Sequence, residues 1–357
     1  MEQKKVLVGM SGGVDSAVSA YLLKENGFAP IGVNCRFFDN DDIFSKEKAC
    51  CSLDDVAQAR QVAFQLGIPF YVFNFKEEFQ KKVMQAFVDT YIAGGTPNPC
   101  INCNRYLKFD KLLRRAFELG ADTVATGHYA QIDFDRGSGR YLLRKGVDET
   151  KDQSYVLYCL TQEQLSHTLF PLGAMRKTEV RDLAQELGFS NAKKHESQDI
   201  CFVPDGDYAA FIEKHCNRTF PHGEYVTKDG RVLGEHKGII RYTIGQRRGL
   251  GLALPAPLYV CKKDVENNRV VLCPDKELYE KELFADDINL ITLDRISSPL
   301  RVKAKVRYKQ PEQWATVTQE DDDILHIVFD EPQRAFAKGQ AVVLYDGDYV
   351  VGGGTIR

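Results

Sequence analysis

The segment of residues 6–16 constrains the fold of this chain more than any other. The apolar run of residues 6–8 predicts a buried strand, and the turn Ser11-Gly12-Gly13 follows it almost at once. Beyond the turn, apolar positions fall on one face of a helix, and Gly27 stands where a C-terminal cap is expected. A strand, a glycine turn and a helix N-terminus form an anion-binding site, because glycine lets the backbone come close and the helix N–H groups point at the ligand.

Three side chains of this segment add to the predicted anion site. The hydroxyls of Ser11 and Ser16 can donate hydrogen bonds, and Asp15 can hold a divalent metal ion against phosphate oxygens. The segment is not a Walker A loop, since no Gly-Lys-Ser/Thr follows. Its pattern Ser-Gly-Gly-x-Asp-Ser resembles the ATP-pyrophosphatase loop, which wraps the pyrophosphate of ATP while an acceptor oxygen is adenylated.

Composition limits the class of protein. A chain of 357 residues with 43% apolar content can form two or three domains, and a net charge of −3 restricts nucleic-acid binding to local patches. The sequence offers no apolar run long enough for a membrane span and no signal peptide, so we expect a cytoplasmic protein without a membrane partner. In that compartment the ten cysteines are expected to be thiols, metal ligands or redox groups.

Strands and helices alternate over the first half of the chain. Predicted strands at 30–35, 69–75 and 122–126 alternate with predicted helices at 76–92 and 105–119. A further predicted helix begins at a capping box formed by Ser52 and Asp55 and ends at Leu66. This alternation predicts a doubly wound parallel α/β sheet, in which ligands bind beyond the carboxyl ends of the strands. We therefore expect residues 9–16, Cys35 and residues 126–128 around one crevice, with Gly127 allowing a nucleotide to lie against the backbone. His128 is better explained as a hydrogen-bonded structural residue.

Residues 94–104 contain two glycines and two prolines and predict a rigid, non-helical loop. The loop carries the Cys-x-x-Cys pair of Cys100 and Cys103 just before a helix, where the pKa of a thiol is expected to be lowered. The sequence has no second Cys-x-x-Cys pair, which makes a zinc site less favoured. Further on, residues 131–145 predict a hairpin and residues 176–187 an amphipathic helix.

The last third of the chain predicts β structure. Short strand-like runs at 223–226, 238–243, 258–262 and 270–273 indicate a small β-rich central domain, in which Arg241, Arg247 and Arg248 suit a phosphate backbone. Residues 301–309 alternate basic and mostly apolar positions, which on one strand gives a cationic face over a buried face. Strands at 325–329, 341–345 and 349–351 then predict an antiparallel β-barrel. The predicted domains are 1–204, a catalytic domain; 205–278, the small central domain; and 279–357, the barrel.

Five motifs occur in order along the chain, and together they resemble the tRNA-specific 2-thiouridylases (the MnmA family). They are Ser11 to Ser16, Thr96-Pro97-Asn98-Pro99 with Cys103-Asn104, Thr126-Gly127-His128-Tyr129, Lys151-Asp152-Gln153-Ser154, and Ser197-Gln198-Asp199-Ile200-Cys201-Phe202. The resemblance continues through Tyr242 to Gly249 and covers essentially the whole chain. It implies an ATP-pyrophosphatase domain of the adenine nucleotide α-hydrolase type.

The resemblance also implies an activity and a set of site residues. A transferase of this family uses ATP and Mg²⁺ to adenylate the C2 oxygen of a wobble uridine in tRNA. Sulfur from a cysteine persulfide then replaces this oxygen. A cysteine desulfurase or a sulfur-relay protein would supply the sulfur. By similarity, Cys103 is the nucleophile and Cys201 the persulfide carrier, and the two form a disulfide. The ATP site would consist of Gly9, Met10, Ser11, Gly12, Gly13, Val14, Asp15, Ser16, Cys35 and Gly127; the target base would face Asn98, Pro99 and Cys100; and tRNA would contact Lys151, Asp152, Gln153, Arg307 and Tyr308.

One departure from the family pattern leaves an alternative open. Many members carry Asp where this chain has Cys100, and three thiols at Cys100, Cys103 and Cys201 could instead hold an iron–sulfur cluster that delivers sulfide. Two other hypotheses are an ATP-pyrophosphatase acting on a different acceptor, as in argininosuccinate or GMP synthesis or in another tRNA thiolation, and a non-enzymatic RNA-binding or metal-storage module. The basic strand and the paired cysteines argue against small-molecule amination, and the loop at Ser11 argues against the non-enzymatic module.

Overall fold

The computed structural model describes residues 3–38, 53–194, 200–203 and 205–357. The predicted cap Ser52 and positions 197–199 of the motif around Cys201 lie outside these residues. The chain divides into two compact units. The first comprises Met1–Met84, Pro99–Gly206 and Asp348–Val351, and the second comprises Gln85–Asn98, Asp207–Gly347 and Gly352–Arg357. Among the residues described, no helix has the length and apolar character needed to cross a membrane.

Strands and short helices follow one another along the described residues. In chain order, the strands are β1 (Lys5–Gly9), β2 (Ala29–Arg36), β3 (Phe70–Asn74), β4 (Val124–Ala125), β5 (Ala130–Asp135), β6 (Arg140–Lys145), β7 (Thr168–Leu169), β8 (Gly223–Thr227), β9 (Val232–His236), β10 (Tyr259–Asp264), β11 (Arg269–Cys273), β12 (Tyr279–Leu290), β13 (Leu300–Lys305), β14 (Gln313–Asp321), β15 (Ile324–Arg334), β16 (Ala341–Asp346) and β17 (Tyr349–Ile356). The α-helices are α1 (Val14–Glu25), α2 (Leu53–Leu66), α3 (Lys76–Phe79), α4 (Gln85–Ile92), α5 (Pro99–Cys103), α6 (Leu112–Glu118), α7 (Ser154–Leu157), α8 (Gln162–Ser166), α9 (Lys177–Glu186) and α10 (Tyr208–His215). Gln80–Met84 and Asn104–Lys111 are π-helical, and Ile239–Arg241 and Asp275–Leu278 form 3₁₀ turns.

The first unit contains a parallel sheet with the strand order β3-β2-β1-β4-β7. Its central strand β1 pairs in parallel with β2 on one side and with β4 on the other, so that Leu7 lies between Ile31 and Val124. Because all five strands run the same way, their carboxyl ends meet at one edge of the sheet. This arrangement confirms the predicted α/β fold class.

Helices cover both faces of the parallel sheet. Val6 and Val8 of β1 belong to one buried cluster with residues of α1, α2 and α9. The opposite face is covered by α6, since a Cβ added to Gly9, which shares a face with Leu7, would meet the side chain of Leu112 at 3.9 Å. Burial on both faces explains why residues 6–8 form a continuous apolar run instead of an alternating one.

Three elements predicted in the first third of the chain have different bounds in the structure. The apolar run at 69–75 forms β3 at the edge of the sheet, where Tyr71 and Val72 remain 46% and 41% exposed. The helix predicted at 76–92 contains the π-helical Gln80–Met84. The helix predicted to start at Arg105 begins already at Pro99, so Cys100 and Cys103 lie inside a helix and not in a loop. Proline suits this first helical position because the N–H it lacks would have no partner in the helix.

The second unit contains a small sheet and a barrel. The small sheet has the order β10-β11-β8-β9. The barrel has the order β12-β15-β14-β13-β16-β17, and antiparallel pairing of β12 with β17 closes it. Closure leaves the barrel without an exposed sheet edge. The predicted C-terminal antiparallel barrel is therefore confirmed.

Two strand predictions in this unit are wrong. Residues 238–243 form the 3₁₀ turn Ile239–Arg241 after Gly238, whose φ of +105° ends the extended backbone. The alternating segment 301–309 is a strand only as far as Lys305, and Arg307 and Lys309 lie in the turn that follows. In addition, the sequence did not predict β9, β12 or β14.

Candidate active site

The loop between β1 and α1 lies at the carboxyl edge of the parallel sheet. Gly12 adopts a φ of +79°, and a Cβ at this position would lie 2.5 Å from the carbonyl oxygen of Asp55. Only glycine tolerates both this positive φ and this close approach of another backbone segment. The helix α1 then begins at Val14 with Gly13 as its N-cap, and no side chain caps it. Its first N–H groups are therefore placed to bind an anionic ligand, as the sequence predicted.

The serines of the loop stabilise its backbone. The N–H of Ser11 donates to Oγ of Ser16 at 3.3 Å, and this hydroxyl donates to the carbonyl oxygen of Gly13 at 3.0 Å. The hydroxyl of Ser16 thus fixes the shape of the turn, whereas the sequence predicted it as a donor for the ligand. A rigid turn presents its N–H groups without reorganisation when a ligand arrives.

Two residues from a distant part of the chain hold the carbonyl group of Gly12. Asn191 donates from Nδ2 at 3.1 Å, and Lys194 donates from Nζ at 3.4 Å. The same ammonium group binds Gln58 at 2.8 Å and forms an ion pair with Asp55. Asn191 and Lys194 were not predicted as site residues, because nothing local in the sequence connects them to residue 12.

Asp15 is engaged by a buried lysine. Nζ of Lys177 lies 2.7 Å from Oδ1 and 2.8 Å from Oδ2 of Asp15, and the hydroxyl of Tyr129 donates to Oδ1 at 2.8 Å. Lys177 is only 7% exposed. Sequence reasoning missed this residue, although one signal existed: a lysine at the first position of a helix is opposed by the helix dipole and needs another reason to be there.

Gly127 lies against the first turn of α1. A Cβ on Gly127 would approach the carbonyl carbon of Asp15 to 2.9 Å and the backbone nitrogen of Ser16 to 3.0 Å. Glycine is thus required here because two backbone segments contact each other, whether or not a nucleotide also lies against this position. The neighbouring His128 is buried, its Nδ1 lies 2.7 Å from Oγ1 of Thr126, and burial holds its pKa well below the ordinary value. These contacts agree with a structural role for His128.

Cys35 occupies the end of β2, beside the same edge of the sheet. The N–H of Met10 donates to the carbonyl oxygen of Val33 at 2.7 Å, and Nδ2 of Asn34 donates to the carbonyl oxygen of Met10 at 2.9 Å. These bonds tie the start of the loop to β2. The structure therefore brings the predicted ATP residues to one edge, from the ends of β1, β2 and β4 and the start of α1.

The two cysteines of the Cys-x-x-Cys pair differ in environment. Cys100 is exposed in the first turn of α5, and Cys103 is buried at its last residue. Burial raises the pKa of Cys103 to about 11. The charge of Lys108 acts to lower this pKa, and the neighbouring Cys100 acts to raise it further. The expectation of a lowered pKa is wrong for Cys103, because desolvation of the thiolate outweighs the favourable charge and the residue does not stand in front of a helix.

Cys201 lies in a turn in which the N–H of Val203 donates to the carbonyl oxygen of Ile200 at 2.8 Å. The ring of Phe202 packs edge-on against the ring of Phe79, with centroids 5.6 Å apart. The π-helical residues that follow Phe79 also pack against α5, where Nδ2 of Asn102 donates to the carbonyl oxygen of Lys82 at 3.4 Å. The segments that carry Cys103 and Cys201 thus both pack against residues 79–84.

No metal centre is preformed in the part of the chain that the structure describes. Within it, no three His, Cys, Asp or Glu side chains are grouped so that they could hold a metal ion. Cys100, Cys103 and Cys201 all belong to that part. Among the described residues, these three thiols are therefore not grouped as ligands of one metal ion.

The predicted RNA-contacting residues of the first unit form a hydrogen-bonded turn. Oδ1 of Asp152 accepts from the N–H groups of Gly146 and Ser154, both at 3.1 Å. Oε1 of Gln153 accepts from the N–H of Tyr129 at 3.0 Å. Lys151 is half-buried in the same turn. Pro99 and Cys100 begin α5, and Asn98, which belongs to the second unit, precedes them in the chain.

The basic residues of the second unit are partly engaged in internal contacts. Nη2 of Arg307 donates to the carbonyl oxygens of Ala335 at 2.8 Å and Ile244 at 3.2 Å. On β13, Arg301 forms an ion pair with Asp330. Arg301 and Lys303 both lie over the ring of Trp314. The cationic face is thus shorter than predicted and is partly neutralised.

Three known domain families match the chain in order. Residues 4–205 match the family described as tRNA methyl transferase HUP domain, residues 209–274 the tRNA methyl transferase PRC-barrel domain, and residues 280–356 the aminomethyltransferase beta-barrel domain. The tRNA-specific 2-thiouridylase MnmA of Clostridioides difficile (strain 630) is 52% identical over 354 residues, which cover 99% of this chain and 98% of that protein. The chain belongs to the tRNA-specific 2-thiouridylase family.

A second relative agrees with this family. The 2-thiouridylase MnmA of Acetivibrio thermocellus is 51% identical over 359 residues and covers 100% of both chains. Among solved structures, the U34-tRNA thiolase NcsA from Methanococcus maripaludis with its [4Fe-4S] cluster is 20% identical, with a TM-score of 0.37 over 60% of this chain and 68% of that one. The similarity to NcsA is too low to support a statement about the chemistry of this chain. Membership in the 2-thiouridylase family confirms the resemblance predicted from the ordered motifs.

Proposed function

We propose that this chain is an ATP-dependent tRNA-uridine 2-sulfurtransferase, which replaces the C2 oxygen of a wobble uridine by sulfur. The observation that carries the proposal is the Ser-Gly-Gly-x-Asp-Ser loop at the carboxyl end of β1, in front of an uncapped helix, in a chain 52% identical to a tRNA-specific 2-thiouridylase over its full length. Because the substrate is tRNA, we place the protein in the cytoplasm.

The first half-reaction makes the uridine oxygen a leaving group. The C2 oxygen attacks the α-phosphorus of ATP, and pyrophosphate departs toward the loop, whose N–H groups bind its charge. Support for this role comes from the fixed turn at Gly12 and the close contact of Gly127 with α1. The proposed ATP residues are those predicted from the sequence: the loop from Gly9 to Ser16, with Cys35 and Gly127.

Mg²⁺ fits this site through a single protein carboxylate. The ion ordinarily keeps several waters and binds one or two carboxylates together with phosphate oxygens. Asp15 supplies such a carboxylate in the first turn of α1, where its oxygens already accept from Lys177 and Tyr129. Bound there, the ion would neutralise charge on the phosphates.

The second half-reaction uses two thiols. The terminal sulfur of a persulfide on Cys201 attacks C2 of the adenylated uridine, and AMP leaves. The thiolate of Cys103 then attacks Sγ of Cys201, which releases 2-thiouridine and leaves a disulfide between the two cysteines. A thiol reductant resets the disulfide, and a cysteine desulfurase or sulfur-relay protein supplies the next sulfur. Because burial raises the pKa of Cys103, α5 has to become more accessible for its thiolate to form.

We also propose the contacts with tRNA and the domain boundaries. The target base faces Asn98, Pro99 and Cys100, and the tRNA body contacts the turn at residues 151–153 together with Arg307 and Tyr308. The catalytic, central and barrel domains are residues 1–204, 205–278 and 279–357. The exposure of Cys100 supports a role next to the base.

The test is mass spectrometry of nucleosides from tRNA incubated with the protein, ATP, Mg²⁺ and a cysteine desulfurase with cysteine. We expect a 2-thiouridine product that depends on ATP. The variant Cys201→Ser should give no thiolated nucleoside but should still release pyrophosphate, whereas Asp15→Ala should release none and still bind tRNA. A methylated nucleoside in place of a thiolated one, or thiolation without ATP, would contradict the proposal.

A further inference from the structure

The ion pair between Lys177 and Asp15 is a largely buried charged contact at the loop. The side chains of Lys177 and Asp15 are 9% and 29% exposed. The ammonium group contacts both carboxylate oxygens and lies 5.6 Å from the centroid of the Tyr129 ring, and the hydroxyl of that tyrosine binds the same carboxylate. A positive charge is thus held at the side chain of Asp15, which belongs to the first turn of α1.

Stability of its own helix does not explain why a lysine stands at this position. Lys177 is the first residue of α9, where the helix dipole opposes a positive charge. The backbone N–H of Lys177 donates to Oδ2 of Asp148 at 2.9 Å, which fixes the start of the helix without using the ammonium group. The ammonium group is therefore used for the contact with Asp15.

We propose that Lys177 is a pyrophosphate-binding residue, which neutralises Asp15 in the nucleotide-free protein and turns to the phosphate oxygens when ATP binds. This inference rests on the proposed function, because it assumes that the loop binds ATP. Asp15 and the phosphates carry like charges and repel each other until a cation stands between them. A lysine ammonium has three donors on a flexible stem, so it can exchange a carboxylate for a phosphate oxygen with a small movement.

The test measures binding of inorganic pyrophosphate to the purified protein by calorimetry, in a chelator that removes divalent metal and without tRNA. Lys177→Met should weaken binding by about tenfold to hundredfold, because a charge-assisted hydrogen bond to the anion is lost. Asp15→Asn should strengthen it severalfold, because a repelling charge is removed and Lys177 is released. A purely structural pair would move both affinities in the same direction.

Two further variants keep the test interpretable. Lys24→Met removes a lysine at the other end of α1, where Nζ binds the carbonyl oxygen of Leu66, and should leave pyrophosphate affinity unchanged. If Lys177→Met fails to fold, the double variant Asp15→Asn with Lys177→Met removes the unpaired charge and should bind more weakly than Asp15→Asn alone. Equal affinities of those two variants would overturn the inference.

The failure of this inference and that of the proposed function give different results. If the wild-type protein binds neither pyrophosphate nor ATP with Mg²⁺, both proposals are overturned. If it binds them and thiolates tRNA while the Lys177 variants bind as tightly as wild type, only the role of Lys177 is wrong.

Discussion

The ring of Phe202 and the fully buried ring of Phe79 pack edge to face. Phe202 directly follows Cys201, and the residues after Phe79 pack against the helix that carries Cys103. Phe79 therefore contacts the segment of Cys201 and directly precedes the residues that pack against the helix of Cys103, and the thiols of both segments take part in the proposed sulfur transfer.

We predict that Phe79→Leu slows sulfur transfer more than adenylation. The smaller side chain leaves a gap under Phe202 and costs about 1–2 kcal/mol of folding free energy, so the turn of Cys201 loses its support. Single-turnover thiolation should fall several-fold, while release of pyrophosphate changes little. Phe87→Leu is the matched control, since Phe87 is a buried aromatic residue of the second unit that contacts Phe211. An equal loss in both half-reactions would contradict the prediction.

We predict that Gly127→Ala impairs the ATP site. A methyl group at this position would lie 2.9 Å from the backbone of Asp15, so α1 has to move or the strand end has to strain. Overpacking of this kind costs about 1–3 kcal/mol, and the displaced helix N-terminus should lower ATP–pyrophosphate exchange at least about tenfold. Gly137→Ala, at the exposed tip of the hairpin, is the control. Wild-type exchange in Gly127→Ala would show that the contact is not restrictive.

Sequence patterns predicted the elements whose contacts are local. The amphipathic pattern at 176–187 corresponds to α9, and the hairpin at 131–145 corresponds to β5 and β6, because period and turn residues decide both. The same patterns could not show that Lys177 binds Asp15, a partner 162 positions away. They also could not show that Arg307 lies beyond the end of β13, since the alternation of basic and apolar residues continues past the residue at which strand pairing stops.

We predict that Cys103 resists alkylation near neutral pH in the folded protein. Its thiol is buried and its pKa is raised to about 11, so hardly any thiolate is present, whereas Cys100 is exposed. Iodoacetamide followed by peptide mass spectrometry should find Cys100 modified first, and unfolding in urea should remove the difference. Faster modification of Cys103 than of Cys100 would mean that α5 opens without substrate.

The same raised pKa predicts that stability depends on alkaline pH. Folding keeps the thiol of Cys103 protonated, so its contribution to stability is complete below the unfolded pKa and is lost as pH rises toward about 11. The loss should reach up to about 3 kcal/mol. Urea unfolding of the wild type and of Cys103→Ala across this range measures it. Parallel curves for the two proteins would contradict the prediction.

We predict that Arg307→Met destabilises the second unit besides weakening tRNA binding. The guanidinium group donates to the carbonyl oxygens of Ile244 and Ala335, and both lose a donor in the variant. Loss of these charge-assisted bonds should cost about 1–3 kcal/mol in thermal or urea unfolding. Tyr308→Ala, at the next position in the same turn, should weaken tRNA binding with a smaller loss of stability. If Arg307→Met unfolds like wild type while tRNA affinity falls, the arginine contacts tRNA without supporting the turn.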